Sequence, residues 1–257
     1  MRVATWNING VRARMDYIKH WLEARKPDLV GFQEIKAMNE AFPTDAFNDI
    51  GYQVHLHGQK GRNGVAFATT LDVDVTQRGL PGHDADGSRL IVGKAENLTF
   101  ASVYCPNGKD IDHPDYQMKL GWLSDLSDFC ARQVEDGQDF LIGGDYNVVR
   151  TALDSHYGAN GDGKIFHTKE ERGVLEKLFN VGLVDLYRHK YPESDAFSWW
   201  DYRSGGFRFN KGLRIDLLLG TQGIVDRMTD VVIDRDYRKK LEGLTASDHA
   251  PVFVDLS

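Results

Sequence analysis

Several strand-like segments of this chain run directly into polar residues, and that repetition constrains its fold most. Val3, Thr5 and Asn7 alternate with Ala4, Trp6 and Ile8, a period of two that predicts an opening strand ending at Asn7 and Asn9. The run Asp28-Leu29-Val30-Gly31-Phe32-Gln33-Glu34 is apolar throughout its middle and stops at Glu34. Phe140-Leu141-Ile142-Gly143-Gly144-Asp145 does the same, with Asn147 close behind. Asp216 lies inside Leu213-Arg214-Ile215-Asp216-Leu217-Leu218, and Asp248 and His249 stand before the last apolar alternation, Val252 to Leu256. If these strands share one end of a sheet, their polar termini converge on a single cleft.

Helices separate some of these strands and not others. Val11, Met15, Ile18 and Leu22 recur at helical spacing, which predicts a helix over residues 11–25, ended by Pro27. A second helix follows Pro114, with Leu120, Leu123 and Leu126 on its apolar side. Thr168-Lys169-Glu170-Glu171 has the form of a capping box and opens a third helix, with Gly182 placed to end it. Further strands are expected near residues 52–56, 65–70, 89–94, 98–104, 197–202, 214–219 and 231–234. Strands outnumber helices, so a purely parallel sheet does not fit. The expected fold class is α/β, with two packed mixed sheets flanked by helices in one domain over residues 1–257.

Composition bounds what such a fold does. Of 257 residues, 41% are hydrophobic and 27% charged, which supports a sizeable core. No apolar run approaches the ~20 residues that span a bilayer. The N-terminus runs at once into strand-like sequence, leading to the expectation of a cytoplasmic protein without a signal peptide. Cys105 and Cys130 do not form a disulfide framework, and neither has an activating context for nucleophilic catalysis. A net charge of −7 argues against an indiscriminate nucleic-acid coat, yet permits an enzyme with a local basic face and an acidic metal pocket.

The residue types at the strand ends suit metal-assisted chemistry. Glu34, Asp248 and Asn7 offer hard oxygen donors, which fit Mg²⁺, with Mn²⁺ as a substitute; no Cys/His cluster has zinc-ligand spacing. A carboxylate such as Asp216, set in an apolar strand, needs a partner, and His249 is the candidate: a facing Asp orients the imidazole and favours its charged form.

Eight stretches carry a family resemblance in one order: Trp6-Asn7-Ile8-Asn9-Gly10, Gln33-Glu34-Ile35-Lys36, Asn63-Gly64-Val65-Ala66, Tyr104-Cys105-Pro106-Asn107-Gly108, Gly144-Asp145-Tyr146-Asn147, Phe197-Ser198-Trp199-Trp200, Gly212-Leu213-Arg214-Ile215-Asp216 and Ser247-Asp248-His249-Ala250-Pro251. Over its whole length the chain resembles the exonuclease III family of abasic-site endonucleases, within the endonuclease/exonuclease/phosphatase superfamily. The resemblance implies a four-layered, DNase I-like α/β sandwich with a pseudo-two-fold. It implies Glu34 as principal Mg²⁺ ligand, Asn7 and Asp248 at the metal, and Asp145 as the group that activates water. Asn147 and Tyr104 would bind phosphate and nucleophile, His249 would contact the scissile phosphate, and Asp216 would orient His249. Lys36 and Asn107 would be secondary members, and Asn9 stands where some relatives carry Asp.

Arg203, Arg208, Lys211 and Arg214 interleave with Tyr202, Phe207 and Phe209 in a Gly-rich segment, a pattern suited to DNA backbone and an unpaired sugar. Lys60 and Arg62 are expected on the other flank, and Trp199, Leu213 and Ile215 match positions around the abasic-sugar pocket. Phe166 fills a position that abasic endonucleases generally keep small. The expected partner is double-stranded DNA with abasic, nicked or recessed 3′ sites, handled by a monomer. Narrower or different alternatives are a variant restricted to 3′ ends, a phosphatase of the superfamily acting on a non-DNA substrate, and a DNA-binding module without catalysis.

Overall fold

The computed structural model describes residues 1–241 and 243–257. Alternation along β1 (Arg2–Asn7) sends Ala4 and Trp6 to one face and Val3 and Thr5 to the other. The first face packs on α1 (Val11–Arg25), through Tyr17, Ile18, Trp21 and Leu22. This helix occupies the expected residues and ends where Lys26 turns left-handed, its N–H donating to the Leu22 carbonyl. Next come β2 (Leu29–Gln33), the short α2 (Thr44–Asn48), β3 (Gln53–His57), β4 (Val65–Thr69), β5 (Asp74–Arg78), β6 (Leu90–Ala95) and β7 (Leu98–Tyr104). The second half contains α3 (Pro114–Glu135), β8 (Asp139–Asp145), α4 (Lys169–Asn180), β9 (Val184–Asp185), α5 (Leu186–Lys190), β10 (Trp199–Trp200), β11 (Gly212–Leu213), β12 (Asp216–Gly220), α6 (Gln222–Arg227), β13 (Met228–Ile233) and β14 (Val252–Leu256).

Two six-stranded mixed sheets result, ordered β13-β14-β1-β2-β4-β3 and β9-β12-β8-β7-β6-β5. Read in that direction, both run antiparallel, antiparallel, parallel, antiparallel, antiparallel. The halves are therefore related by a pseudo-two-fold that matches β1 with β8, β2 with β7 and β14 with β12. One apolar layer lies between the sheets, including Val3, Leu29, Phe67, Phe100, Leu141 and Leu218. Trp122, Leu123, Leu126, Leu175 and Leu178 from α3 and α4 cover the outer face of the second sheet. The layers thus read α/β/β/α, the four-layered sandwich expected. Among the described residues no helix is long and apolar enough to cross a membrane.

The structure differs from the sequence reading in several details, among them the short α2, α5, α6 and β9, which the sequence pattern did not predict. The strand expected over 197–202 shrinks to Trp199–Trp200, held between Leu213 and the Asp248–Ala250 segment rather than in a large sheet. The strand expected from Arg214 begins at Asp216. The edge strand β5 was not anticipated; its half-exposed alternation, Asp74 to Arg78, carries little apolar signal.

At one end the sheets draw close. A Cβ on Gly31 would lie 2.7 Å from Ser102 Cβ, and one on Gly143 would lie 3.0 Å from Thr5 Cβ, each across the two sheets, so neither position admits a side chain without displacement. Gln33 fills the gap, its amide donating to Thr5 Oγ1, Ser102 Oγ and the Gly31 carbonyl. The strand termini converge directly beyond this point.

Candidate active site

Strand pairing brings the polar ends together. Asn7 and Asp145 end the pseudo-symmetric strands β1 and β8, and Asp216 pairs in register with Asp145 across β12 and β8. β14 begins opposite Thr5, so the residues before it, Asp248 and His249, lie at the end of β1 that carries Asn7. Tyr104 pairs with Asp145 from the other side. The chain must bend sharply after each strand. Asn9, Glu34, Lys36, Asn147 and Phe166 all have positive φ, between 48° and 71°, which non-glycine residues adopt infrequently. Such outliers gather where surrounding structure over-determines them, often at functional sites.

Asn7 is the bridge. Its side-chain N–H₂ donates to Glu34 Oε1 and Asp145 Oδ2, both at 2.9 Å, while its oxygen accepts from the Asn9 N–H. The amide thus braces two carboxylates, and its oxygen is engaged by the Asn9 backbone. Glu34 also pairs with Lys36 at 2.9 Å. Burial pushes the Glu34 carboxyl up, but Asn7, Lys36 and His249 outweigh it and hold it below the usual range.

His249 lies between two carboxylates. Its Nδ1 is 2.9–3.0 Å from both oxygens of Asp216, and its Nε2 is 3.8 Å from Asp145 Oδ2. Burial disfavours the imidazolium, yet Asp216, Asp145 and Asp248 raise its pKa to about 10. Asp145 moves up as well, driven by burial and then by Asp216 and Glu34, against His249 and the Asn7 hydrogen bond. Ser247 Oγ donates to the Asn7 carbonyl and accepts from the His249 N–H, while Ser198 Oγ accepts from the Ile215 and Asp216 amides. Two serines therefore hold the pair on rigid backbone.

Among the described residues, Glu34, Asp145 and His249 form the one group of acidic, His or Cys ligands in which donor atoms lie within 4.8 Å of one another. Two carboxylates this close fit a hard divalent ion; a charged His249 does not ligate one. Asp248 is not in this group. Its oxygens accept from Asn9 Nδ2 at 2.9 Å and Trp199 Nε1 at 3.0 Å, so it links the metal-side loop to the adjoining pocket. Asn147 donates its amide to the Cys105 carbonyl, and its backbone N–H is held by Asp145 in an Asx turn. The exposed Asn107 donates to Asn147 Oδ1 at 3.3 Å. Burial drives the Tyr104 hydroxyl up, with the Glu34 and Asp145 charges adding. Both thiols are buried and pushed up.

A cavity of about 460 Å³ opens at Trp199, next to the cluster. Trp199, whose ring centre is 6.5 Å from that of His249, forms its wall with Leu213 and Phe166. Phe166 packs on Val149, Leu213, Ile215 and Trp199. Arg203 and Lys211 stand at the rim, with Arg203 paired to Asp201 at 2.8 Å. Arg208 is exposed against Phe209, and Lys60 and Arg62 are exposed between β3 and β4.

Arg214 departs from the expectation of a DNA contact. It is 1% exposed and lies between Asp154 and Asp185, each at 2.7 Å. Alternation decides this: Leu213 and Ile215 face the cluster of Phe166 and Trp199, so Arg214 faces the other way, where only paired carboxylates make a buried guanidinium tolerable.

Sequence reasoning missed a buried pair behind the site. Lys119 Nζ contacts Glu171 at 2.5 Å, with both side chains fully buried, and donates to the Asn147 and Asn107 carbonyls. Glu171 also accepts from the Phe166 N–H and the Thr168 N–H. The anticipated capping box forms, but its Glu also anchors the cavity wall. An apolar helix face carrying a single Lys was the available signal. Arg89, stacked 5.0 Å from the Tyr104 ring centre and donating to its carbonyl, was missed too.

Comparison with known proteins agrees with this geometry. The sequence pattern described as the endonuclease/exonuclease/phosphatase family matches residues 4–249. The exodeoxyribonuclease III of Haemophilus influenzae is 36% identical, covering 99% of each chain. An AP endonuclease structure from Archaeoglobus fulgidus superposes with a TM-score of 0.94 at 32% identity, covering 100% of this chain and 99% of that one. A Neisseria 3′ phosphatase bound to a product DNA hairpin superposes with a TM-score of 0.95 at 30% identity, with the same coverage.

Proposed function

The chain belongs to the endonuclease/exonuclease/phosphatase family, and from that membership we propose that it is a Mg²⁺-dependent DNA repair nuclease. It hydrolyses phosphodiester bonds in duplex DNA on the 5′ side of abasic sites and at 3′ ends. The observation that carries this reading is the Asn7-braced pair of carboxylates, Glu34 and Asp145, set beside a charged His249 and next to the Trp199 cavity. The DNA-bound Neisseria structure and the exodeoxyribonuclease and AP endonuclease relatives support DNA over an inositol or lipid phosphate. So do Lys211 and Arg203 at the cavity rim. A binding module would gain nothing from burying two carboxylates, Asp145 and Asp216, around one imidazole, an arrangement that costs stability unless it performs chemistry.

Each residue has a task in that reaction. Glu34, as the principal ligand, and Asp145 would hold the Mg²⁺, for which Mn²⁺ would substitute. Bound there, the metal supplies positive charge against the phosphoryl oxygens. Asp145 takes a proton from the attacking water, a role that its place between Glu34 and His249 suits. The water oxygen bonds to phosphorus, and the bond from phosphorus to the 3′ oxygen breaks. That oxygen takes up a proton and becomes a 3′ hydroxyl, leaving a 5′ phosphate. His249⁺ and Asn147 donate to the phosphoryl oxygens, while Asp216 keeps His249 charged and aimed. Tyr104 and Asn107 border the phosphate, and Lys36 sets the position of Glu34.

A narrower reading has its own observation. Phe166 is held at φ 71° in the cavity wall, with the buried His167 beside it donating to or accepting from Ser155 Oγ at 2.9 Å. That wall narrows the room for a flipped sugar within a continuous duplex, and favours 3′-end processing over internal abasic cleavage. One purified sample tested with Mg²⁺ on an abasic duplex, a 3′-phosphate nick and a recessed 3′ end decides both points. Metal-dependent hydrolysis of at least one supports the nuclease. Hydrolysis of none, with turnover of a small phosphate monoester instead, overturns it.

A further inference from the structure

The cavity beside the catalytic cluster does not end behind Trp199. Its far side, formed by His156, Tyr157 and Lys211, is shared with a second hollow of about 650 Å³. The first cavity alone has a volume in the range that holds a drug-sized ligand, more than a bare deoxyribose needs.

The second hollow has an unusual surface. Tyr157 is 44% exposed, Phe209 62% and Leu153 40%, and all three line it. Cations stand among these rings. Lys164 Nζ is 4.4 Å from the Tyr157 ring centre, and Lys211 Nζ and the Arg208 guanidinium lie within 6 Å of that of Phe209. Lys211 lines the hollow itself, with Asp195 also in its lining, and Lys164 and Arg208 reach the two rings from its edge. Exposed aromatic faces interleaved with Lys and Arg match the chemistry of an unpaired nucleotide: flat π surface for the base, positive charge for the backbone. A protein partner would find little continuous apolar area here, and a paired duplex has no free base to insert.

We propose that this hollow is a nucleobase subsite, which takes the base of an unstacked 3′-terminal nucleotide while its sugar occupies the cavity of Trp199, Leu213 and Phe166. The proposal rests on the nuclease reading and deepens it: the terminal nucleotide removed at a 3′ end is held by its base as well as by its sugar. Phe166 closes one side of the sugar cavity, and the base passes the other side toward Tyr157. A 3′-terminal phosphate, which places neither sugar nor base beyond the scissile bond, makes no use of the subsite.

The test compares two reactions on one duplex, nucleotide removal from a recessed 3′ end and phosphate removal from a 3′-phosphate end. The proteins are wild type, Tyr157→Ala and Phe209→Ala. Stacking on a single aromatic ring predicts that the ratio of the first rate to the second falls about tenfold in either variant. A 2-aminopurine at the 3′ terminus, bound in the presence of a chelator, is quenched by wild type and less so by the variants. An unmoved ratio overturns the proposal, and so does an equal loss of both rates, which marks general duplex binding. Phe209→Ala, at a largely exposed ring, keeps the test valid if Tyr157→Ala fails to fold. If wild type carries out neither reaction, the nuclease reading itself fails, a result distinct from these.

Discussion

Asp216 faces His249 with both carboxylate oxygens, at 2.9 and 3.0 Å from Nδ1. The pair is buried, and the two residues are 33 positions apart in sequence. Asp216→Asn keeps the shape but removes the charge that holds the imidazole protonated. We expect turnover to fall by about 10²–10⁴-fold, the usual scale for a lost acid or base function. We also expect the remaining activity to decline at lower pH than in wild type, because the His249 pKa drops toward its ordinary value. A pH–rate profile with the wild-type alkaline limb contradicts this assignment.

Glu34→Gln removes an anionic donor but retains an oxygen for the Asn7 amide. The Mg²⁺ concentration for half-maximal activity is expected to rise about tenfold or more, since even partners outside the ligand shell typically alter metal affinity 10–100-fold. A metal titration of both proteins checks it, and coincident curves would place the metal elsewhere.

Phe166→Gly relieves a left-handed aromatic residue and opens the wall next to Trp199 and Leu213. Flipping a nucleotide out of a duplex costs a few kcal/mol, so removing a modest clash is enough to change the outcome. The rate at an internal abasic site should rise relative to that at a 3′-blocked nick, measured at equal Mg²⁺ and salt. An unchanged ratio means that Phe166 is only packing.

Arg214→Met leaves Asp154 and Asp185 buried beside a neutral side chain, with only Arg188 still paired to Asp154 at 2.6 Å. Breaking a buried ion pair from one side typically costs about 3–5 kcal/mol. The melting temperature should fall by several degrees, while DNA affinity of the folded protein stays near wild type. Lys211→Ala, at the rim, should do the reverse: stability holds and the salt dependence of DNA binding becomes shallower.

His83 places Nδ1 at 2.6 Å from Asp86 and Nε2 at 2.7 Å from Asp125, so two carboxylates accept from one ring and tie the loop before β6 to α3. Burial works against the charged ring, but these hydrogen bonds outweigh it and raise its pKa. A pKa raised on folding gives stabilisation that is complete below the unfolded value of about 6.5 and disappears as pH climbs through the folded value. Asp125→Asn should therefore lower the melting temperature clearly at pH 6 and much less at pH 9. Equal losses at both pH values would show that the ring is not charged.

The sequence by itself determined those features whose causes act within a few residues or within a fixed period. The helix over residues 11–25 follows from its apolar spacing, and the start of α4 from the Thr168–Glu171 box. The carboxylates at strand ends were visible because an apolar run stops at each one. The ordered motifs carried the family, and with it the identity of most site residues. The partnerships were not legible in this way. Asn7 braces Asp145 across 138 residues, Lys119 meets Glu171 across 52, and Arg214 reaches Asp154 across 60. Gln33 bridges the sheets only because Gly31 and Gly143 let them approach. Arg214 is the clearest case: a basic residue among basic and aromatic neighbours reads as surface, yet alternation from Leu213 and Ile215 turns it inward to two carboxylates brought there by other strands. Periodicity tells which residues share a face, but only the packing of the two sheets decides what that face meets. Burial then sets the worth of each charge by the partner it finds.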